Sequence, residues 1–366
     1  MARSKKKKYK KNITEKAQTL KESAKTDPSI GVLTIPVPSY ARAHSHSFLP
    51  SSCVKWLEMG GARIVPIQYD LPTAIIQSML EQCNGFVTWG AQLQSVGVLE
   101  DDAAPLETKI GAERYKKFVR ALDFIYLYIF AQNIKGNYYP ILGISEGAQL
   151  LALAATFAPE RYKSHLPLEE LYSKESENMS RVYSEENDIS LHFTSKNNKL
   201  KSIFSPSERK RMSTEKILYT DNSLGLKIGA HYMKKYTEMT NISPTQMNII
   251  ATSKGRRGAK FVSIYDFEHL PFYGLQFMPA VTIFEWKKVN VPRTSLAHKV
   301  SDTLSQFFVD ECKHNHNNLI DNRLLIYNYT LYGINKSKKI LHPNGWFYKY
   351  FIKDFESAYY FNIVNY

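Results

Sequence analysis

Tyr139-Pro140-Ile141-Leu142-Gly143-Ile144-Ser145-Glu146-Gly147 is the stretch on which the fold of this chain turns. Its first half is short, apolar and rich in isoleucine and leucine, and reads as a buried strand; from Glu146 a run of helix formers continues to Phe157. Between them Gly143-Ile144-Ser145-Glu146-Gly147 fits G-x-S-x-G, a sharp strand-to-helix turn in which glycines relieve crowding around an exposed central side chain. Such a turn belongs to a sheet whose strands feed helices, and the segments on either side repeat that grammar.

Upstream, Ile30-Gly31-Val32-Leu33-Thr34-Ile35-Pro36 reads as a first buried strand ended by proline. A helix is expected over Ser52 to Met59, closed by Gly60-Gly61, followed by a strand at Ala62 to Ile67. Ile75 to Gln82 gives another helix, Gly85 to Gly90 a strand running into a turn, and Ala112 to Ala131 a longer helix ended at Gly136-Asn137. Downstream, strands are expected at Asn248 to Thr252 and Lys260 to Tyr265, joined by a Gly255-Arg256-Arg257-Gly258 hairpin turn, and at Phe272 to Phe277. A helix over Ser295 to Lys313 and a Tyr- and Asn-rich stretch complete the chain, with no internal repeat. Strands alternating with helices predict a three-layer α/β/α sandwich around a mainly parallel sheet. Leu168 to Asp188 is acidic and aperiodic, with Glu169, Glu170, Glu175, Glu177, Glu185 and Glu186, and reads as a surface loop or insertion at about 168–190.

The formal net charge of the 366 residues is +14, and residues 1–28 hold ten Lys or Arg against three Asp or Glu, so half of the excess sits in that segment. Lys5, Lys6, Lys7, Lys8, Lys10 and Lys11 repel one another with almost nothing apolar to bury, which predicts a disordered tail, and a folded domain over 29–366. Two readings stand side by side: a solubilising or addressing tail, or an anchor for an acidic surface such as nucleic acid, anionic lipid or the glutamate-rich tails of microtubules. A protein complex or a homodimer stays open as its setting.

No apolar run follows the basic start, so neither a signal peptide nor a membrane anchor is expected. That predicts an intracellular protein, cytoplasmic or cytoskeletal rather than secreted; Ile13, Ala17, Leu20 and Ala24 at helical spacing leave a mitochondrial presequence open. Cys53, Cys83 and Cys312 form no CxxC pair and read as structural thiols in a reducing compartment. His44-x-His46 and His314-x-His316 have no accompanying cysteine or carboxylate cluster, so no metal is expected, and no cofactor either.

Tyr138 to Gly147 resembles the turn of the γ-glutamyl hydrolases, peptidases of the class I glutamine-amidotransferase-like superfamily, in which an aromatic pair, proline and a hydrophobic pair precede G-T-C-L-G. Pro271-Phe272-Tyr273-Gly274-Leu275-Gln276-Phe277-Met278-Pro279-Ala280, trailed by Phe284-Glu285-Trp286, is similar to the family's P-V-Y-G-V-Q-W-H-P-E and Y-E-W. Val54 to Glu58, Gly61 to Pro66, Asn84-Gly85, Gln306 to Glu311 and Leu325 to Tyr329 carry the likeness from about Ile30 to the end. It implies a glutamine-amidotransferase-like, flavodoxin-like fold.

The resemblance also implies which residues have changed. Ser145 stands in the place of the nucleophilic cysteine, Met278 in that of the general-base histidine, and Ala280 in that of its acidic partner. The family's P-G-G turn, which helps form the oxyanion hole, matches Trp89-Gly90-Ala91, so Trp89 and Ala91 are expected to crowd it; Gly90, Ala91, Glu146 and His231 would line the pocket. A serine hydroxyl depends on a neighbouring base even more than a thiol does. Loss of both groups of such a unit removes several orders of magnitude in rate. The expectation is a catalytically inactive γ-glutamyl-hydrolase-like pseudoenzyme serving as a structural or interaction subunit. An active γ-glutamyl peptidase or folate polyglutamate hydrolase, or a serine hydrolase using Ser145 with His231 or His269 approaching it, is the alternative.

Overall fold

The computed structural model describes residues 27–36, 46–90, 106–164, 179–195, 198–228, 247–329, 331–333 and 357–361; of these, the side chains of 106–112, 156–164, 331–333, 357 and 360 are not described. In chain order its elements begin with β1 (Ser29–Leu33), β2 (Ile35–Pro36), β3 (Ser47–Pro50), α1 (Ser51–Met59), β4 (Arg63–Ile67), α2 (Thr73–Leu80), β5 (Gly85–Thr88) and α3 (Leu106–Ile134). Next come β6 (Ile141–Ile144), α4 (Glu146–Ser164), β7 (Met179–Ile189), β8 (His192–Phe193), α5 (Lys199–Ser202), α6 (Pro206–Thr214) and β9 (Leu218–Leu226). Then follow β10 (Met247–Lys254), β11 (Lys260–Phe267), β12 (Leu270–Leu275), α7 (Pro279–Phe284), α8 (Ser295–Cys312), β13 (Leu331–Gly333) and β14 (Ser357–Phe361).

The central sheet has eight strands in the order β4-β1-β5-β6-β12-β11-β10-β8. From β4 to β12 neighbours run parallel; the pairs β12/β11, β11/β10 and β10/β8 are antiparallel. The chain crosses from β1 to β4 on one side, then to β5 on the other, so β1 and β5 form the switch point at which open α/β sheets present a crevice beyond the carboxyl ends of their strands. β6 lies next to β5, and the turn at Ser145 follows its carboxyl end, one strand from that switch point.

Period-two alternation supplies apolar residues to both faces of the sheet. Ile30 and Val32 of β1, Val87 of β5 and Leu142 of β6 join α1 and α8 in one buried layer, whereas Leu33, Phe86 and Ile141 join α2, α3 and α4 in the other. In the first layer Trp56 is fully buried and its indole N–H donates to the Ser301 carbonyl at 3.0 Å, fixing α1 to α8. Emptying such a site costs about 3–5 kcal/mol. α8 is tied to the sheet through Glu311, whose buried carboxylate accepts from the Tyr273 hydroxyl at 2.6 Å, from Tyr138 and from Lys199. Burial alone would raise the Glu311 pKa; the three donors outweigh it and hold the group below the usual carboxylate range.

One expectation is corrected. Of the acidic segment read as a loop at about 168–190, residues 165–178 lie outside the described residues, but Met179–Ile189 is a strand, β7, paired antiparallel with β9 in a two-stranded ribbon. Tyr183 and Glu186 sit at φ +52° and +43°, and the register shifts on either side of Ser184. These bulges break the two-residue period that marks a strand in sequence. Within the Tyr- and Asn-rich closing stretch, β14 pairs with β3 in a second sheet ordered β13-β14-β3-β2.

Candidate active site

Ser145 lies between β6 and α4 at φ +56°, a left-handed conformation that costs a non-glycine residue about 1 kcal/mol or more. Close packing enforces it. A Cβ on Gly147 would stand 2.2 Å from the Thr88 carbonyl oxygen, and one on Gly143 2.5 Å from that of Gly147. Gly90, at φ +76°, brings the backbone after β5 against the turn; a Cβ there would lie 2.6 Å from both the Glu146 Cβ and the Gly147 nitrogen. The Ser145 nitrogen donates to the Leu275 carbonyl at 2.7 Å, joining the turn to the end of β12. Glu146 is the first residue of α4 and is buried.

The Ser145 hydroxyl does not meet an imidazole. It donates to Oδ1 of Asn222, on β9, at 2.8 Å. The amide orientation follows from its other bonds: Asn222 Nδ2 donates to the Gln276 carbonyl at 3.0 Å and to Thr220 Oγ1 at 3.1 Å, which leaves only Oδ1 for the serine. An amide oxygen accepts a hydrogen bond but is not among the side chains that take up a proton as a general base.

β9 extends over the remainder of the site. The Met278 nitrogen donates to the Tyr219 carbonyl at 2.8 Å, the Leu226 nitrogen to Gln276 Oε1 at 3.2 Å, and Gln149 Nε2 to the Leu224 carbonyl at 2.8 Å. Ser145 is 7% exposed and Met278 8%. Met278 caps the short helix α7 with no side-chain hydrogen bond, and Ala280 is buried inside that helix. The fold thus brings Ser145, Met278 and Ala280 to one end of the sheet, where β9 is bonded to both the serine side chain and the methionine backbone. Asn222 is the residue that sequence reasoning missed; it sits in Asp221-Asn222-Ser223, a polar run that gives Leu218 to Leu226 no strand signal.

Two further expectations change. Trp89 does not crowd the turn: its ring is buried in the first core layer, edge-on to Trp56 with centroids 5.9 Å apart, and Gly90 keeps its close approach to the turn. His269 cannot approach Ser145. It precedes β12, whose Leu275 pairs with Ile144, so the length of a six-residue strand, about 20 Å, separates the two. There His269 lines a cleft of about 410 Å³ with Asn133, Gly136 and Tyr138, at the opposite end of the sheet. His231 and Ala91 lie outside the described residues. Among the described residues no three His, Cys, Asp or Glu side chains converge as a metal-binding group.

No family model matches the chain. Individual proteins do. It is 23% identical over 313 residues to γ-glutamyl hydrolase B of Dictyostelium discoideum, covering 82% of this chain and 78% of that protein. The γ-glutamyl hydrolase of Rattus norvegicus is 25% identical over 296 residues, covering 77% and 78%. The chain is γ-glutamyl-hydrolase-like. Among solved structures, a GMP synthase subunit of Thermoplasma acidophilum aligns with 78% of this chain and 94% of its own at a TM-score of 0.38 and 16% identity. In this γ-glutamyl-hydrolase-like chain the parallel strands, the glycine-packed turn and the short helix before Glu285-Trp286 frame a site whose serine is bonded to an amide.

Proposed function

We propose that this γ-glutamyl-hydrolase-like protein keeps the architecture of a hydrolase without its chemistry and serves as a structural or interaction subunit. The observation that carries the reading is the Ser145 hydroxyl donating to the Asn222 amide oxygen, beneath a strand that also holds the Met278 backbone. Attack on an amide carbonyl requires a group that removes the hydroxyl proton and later protonates the departing amine. Neither Asn222 nor Met278 does so. The Lys-rich segment Lys5 to Lys11 supports recruitment by an acidic surface inside the cell, an association that salt would weaken. Among the described residues no helix is long and apolar enough to cross a membrane.

Purified protein incubated with polyglutamylated folate or γ-glutamyl peptides is expected to release no glutamate above the rate of buffer. Clear turnover that disappears in Ser145→Ala would overturn the proposal.

A second reading, an active γ-glutamyl peptidase or serine hydrolase, is favoured by the names of the relatives and by the strained, glycine-packed conformation of Ser145. It calls for covalent labelling of Ser145 by a fluorophosphonate. Failure to label, together with no turnover, would dispose of it.

A further inference from the structure

The hairpin joining β10 to β11 carries Lys254, Arg256, Arg257 and Lys260 within seven residues, and β7 adds Arg181 beside it. All five are exposed. Lys254 and Lys260 stand opposite each other in the register of the two strands, a like-charge pairing that costs stability on its own account. Elsewhere on the surface cations meet carboxylates, as Lys216 meets Asp188 at 2.5 Å, Lys299 meets Glu208 at 2.5 Å and Arg211 meets Glu215 at 2.7 Å. Among the described residues, none of the five at the hairpin does.

The tip is held rigidly. Gly255 packs so closely on β7 that a Cβ would lie 1.6 Å from the Val182 carbonyl oxygen, the Arg256 nitrogen donates to the Tyr183 carbonyl at 3.2 Å, and Arg256 Nη2 reaches the Glu185 and Glu186 carbonyls at 2.5 and 2.9 Å. At its left-handed φ, Tyr183 presents its ring to two guanidiniums, Arg257 at 3.9 Å and Arg181 at 5.5 Å from the centroid. A guanidinium lying over an aromatic ring keeps its N–H edges free for bidentate contact with an anion. Prior ordering of these groups lowers the entropic cost of binding.

We propose that this hairpin tip docks the phosphodiester backbone of single-stranded nucleic acid. Five cations with no carboxylate partner among the described residues match a run of phosphates, and the planar groups of Tyr183, Arg181 and Arg257 match the bases that accompany them. A glutamate-rich peptide offers the charge without the planes.

The test compares the full chain with a quadruple variant, Arg181→Gln, Lys254→Gln, Arg257→Gln and Lys260→Gln, in binding a labelled oligouridylate of about 20 nucleotides. Residues 1–26 are identical in both, so their contribution cancels. The variant is expected to bind at least about tenfold more weakly, and its slope of log affinity against log salt should fall by about 2 to 3, at roughly 0.7 per lost phosphate contact. Equal affinity and slope would overturn the proposal, as would a labelled polyglutamate peptide that displaces the oligouridylate and shows the same dependence on the four residues. Should the variant fail to fold, ultraviolet cross-linking of the unaltered protein decides: adducts at Tyr183 uphold the site, and adducts confined to residues 1–26 refute it.

Discussion

At Ser145 the backbone and the side chain make opposing contributions. Its left-handed φ costs about 1–2 kcal/mol, and its hydroxyl recovers about 1 kcal/mol through Asn222. Alanine keeps the strain and loses the bond; glycine loses the bond and relieves the strain. Ser145→Gly is therefore expected to be more stable than Ser145→Ala by about 1 kcal/mol, the reverse of their usual order outside left-handed positions. Urea denaturation of the two variants reads this directly. The place of Ser145 at the strand-to-helix turn was legible in G-x-S-x-G, because that motif is contiguous. Asn222 was not: its partnership with Ser145 bridges 77 residues and depends on a ribbon that has no sequence signature of its own.

Among the elements, α6 shows how a polar, short helix is held without an apolar face. Ser205 and Glu208 form a reciprocal capping box at its start, and Glu208 also meets Lys299 of α8 at 2.5 Å. The Lys299 ammonium first, then the Ser205 backbone N–H and hydroxyl, hold the Glu208 carboxyl at about 2, below its ordinary value of 4.5. A depressed carboxylate adds stability above its unfolded pKa and loses it as pH falls through the folded value. Glu208→Gln should thus cost about 1 kcal/mol at neutral pH, with the gap to the unmodified protein narrowing from about pH 4.5 downward. Thermal melts over that range test the sign. The α/β alternation from β1 to α4 was readable because each strand is a compact apolar run and each helix keeps its own period. β7 was not, because its bulges at Tyr183 and Glu186 break the alternation while its glutamates imitate a loop. His269 misled for a related reason: nearness in sequence to Met278 hides the full strand between them.

Across the whole molecule the two buried layers share one sheet, and the three cysteines sample both: Cys53 and Cys312 in one, Cys83 in the other. All are buried as free thiols. Desolvation pushes Cys83 up to about 12 and raises Cys53 and Cys312 as well, so almost no thiolate is present near neutrality. A disulfide reagent at pH 8 is expected to leave the native protein unlabelled and to modify all three in a single kinetic phase once denaturant opens the sheet. Two phases, with Cys83 separate, would mean that the layers come apart independently.

The strand β9 also bears on what a single substitution at this site can add. Because Asn222 holds the Ser145 hydroxyl and the Met278 backbone is bonded to Tyr219, a single Met278→His replacement is expected to yield no measurable release of glutamate from γ-glutamyl peptides. An imidazole at 278 finds the proton already committed, and freeing position 222 without that imidazole leaves a serine with no base. On the proposed reading, neither substitution is rewarded until the other has been made. For the non-catalytic subunit proposed above this amounts to a ratchet: selection sees no slope toward hydrolase activity, and the scaffold is free to be kept for whatever else it binds.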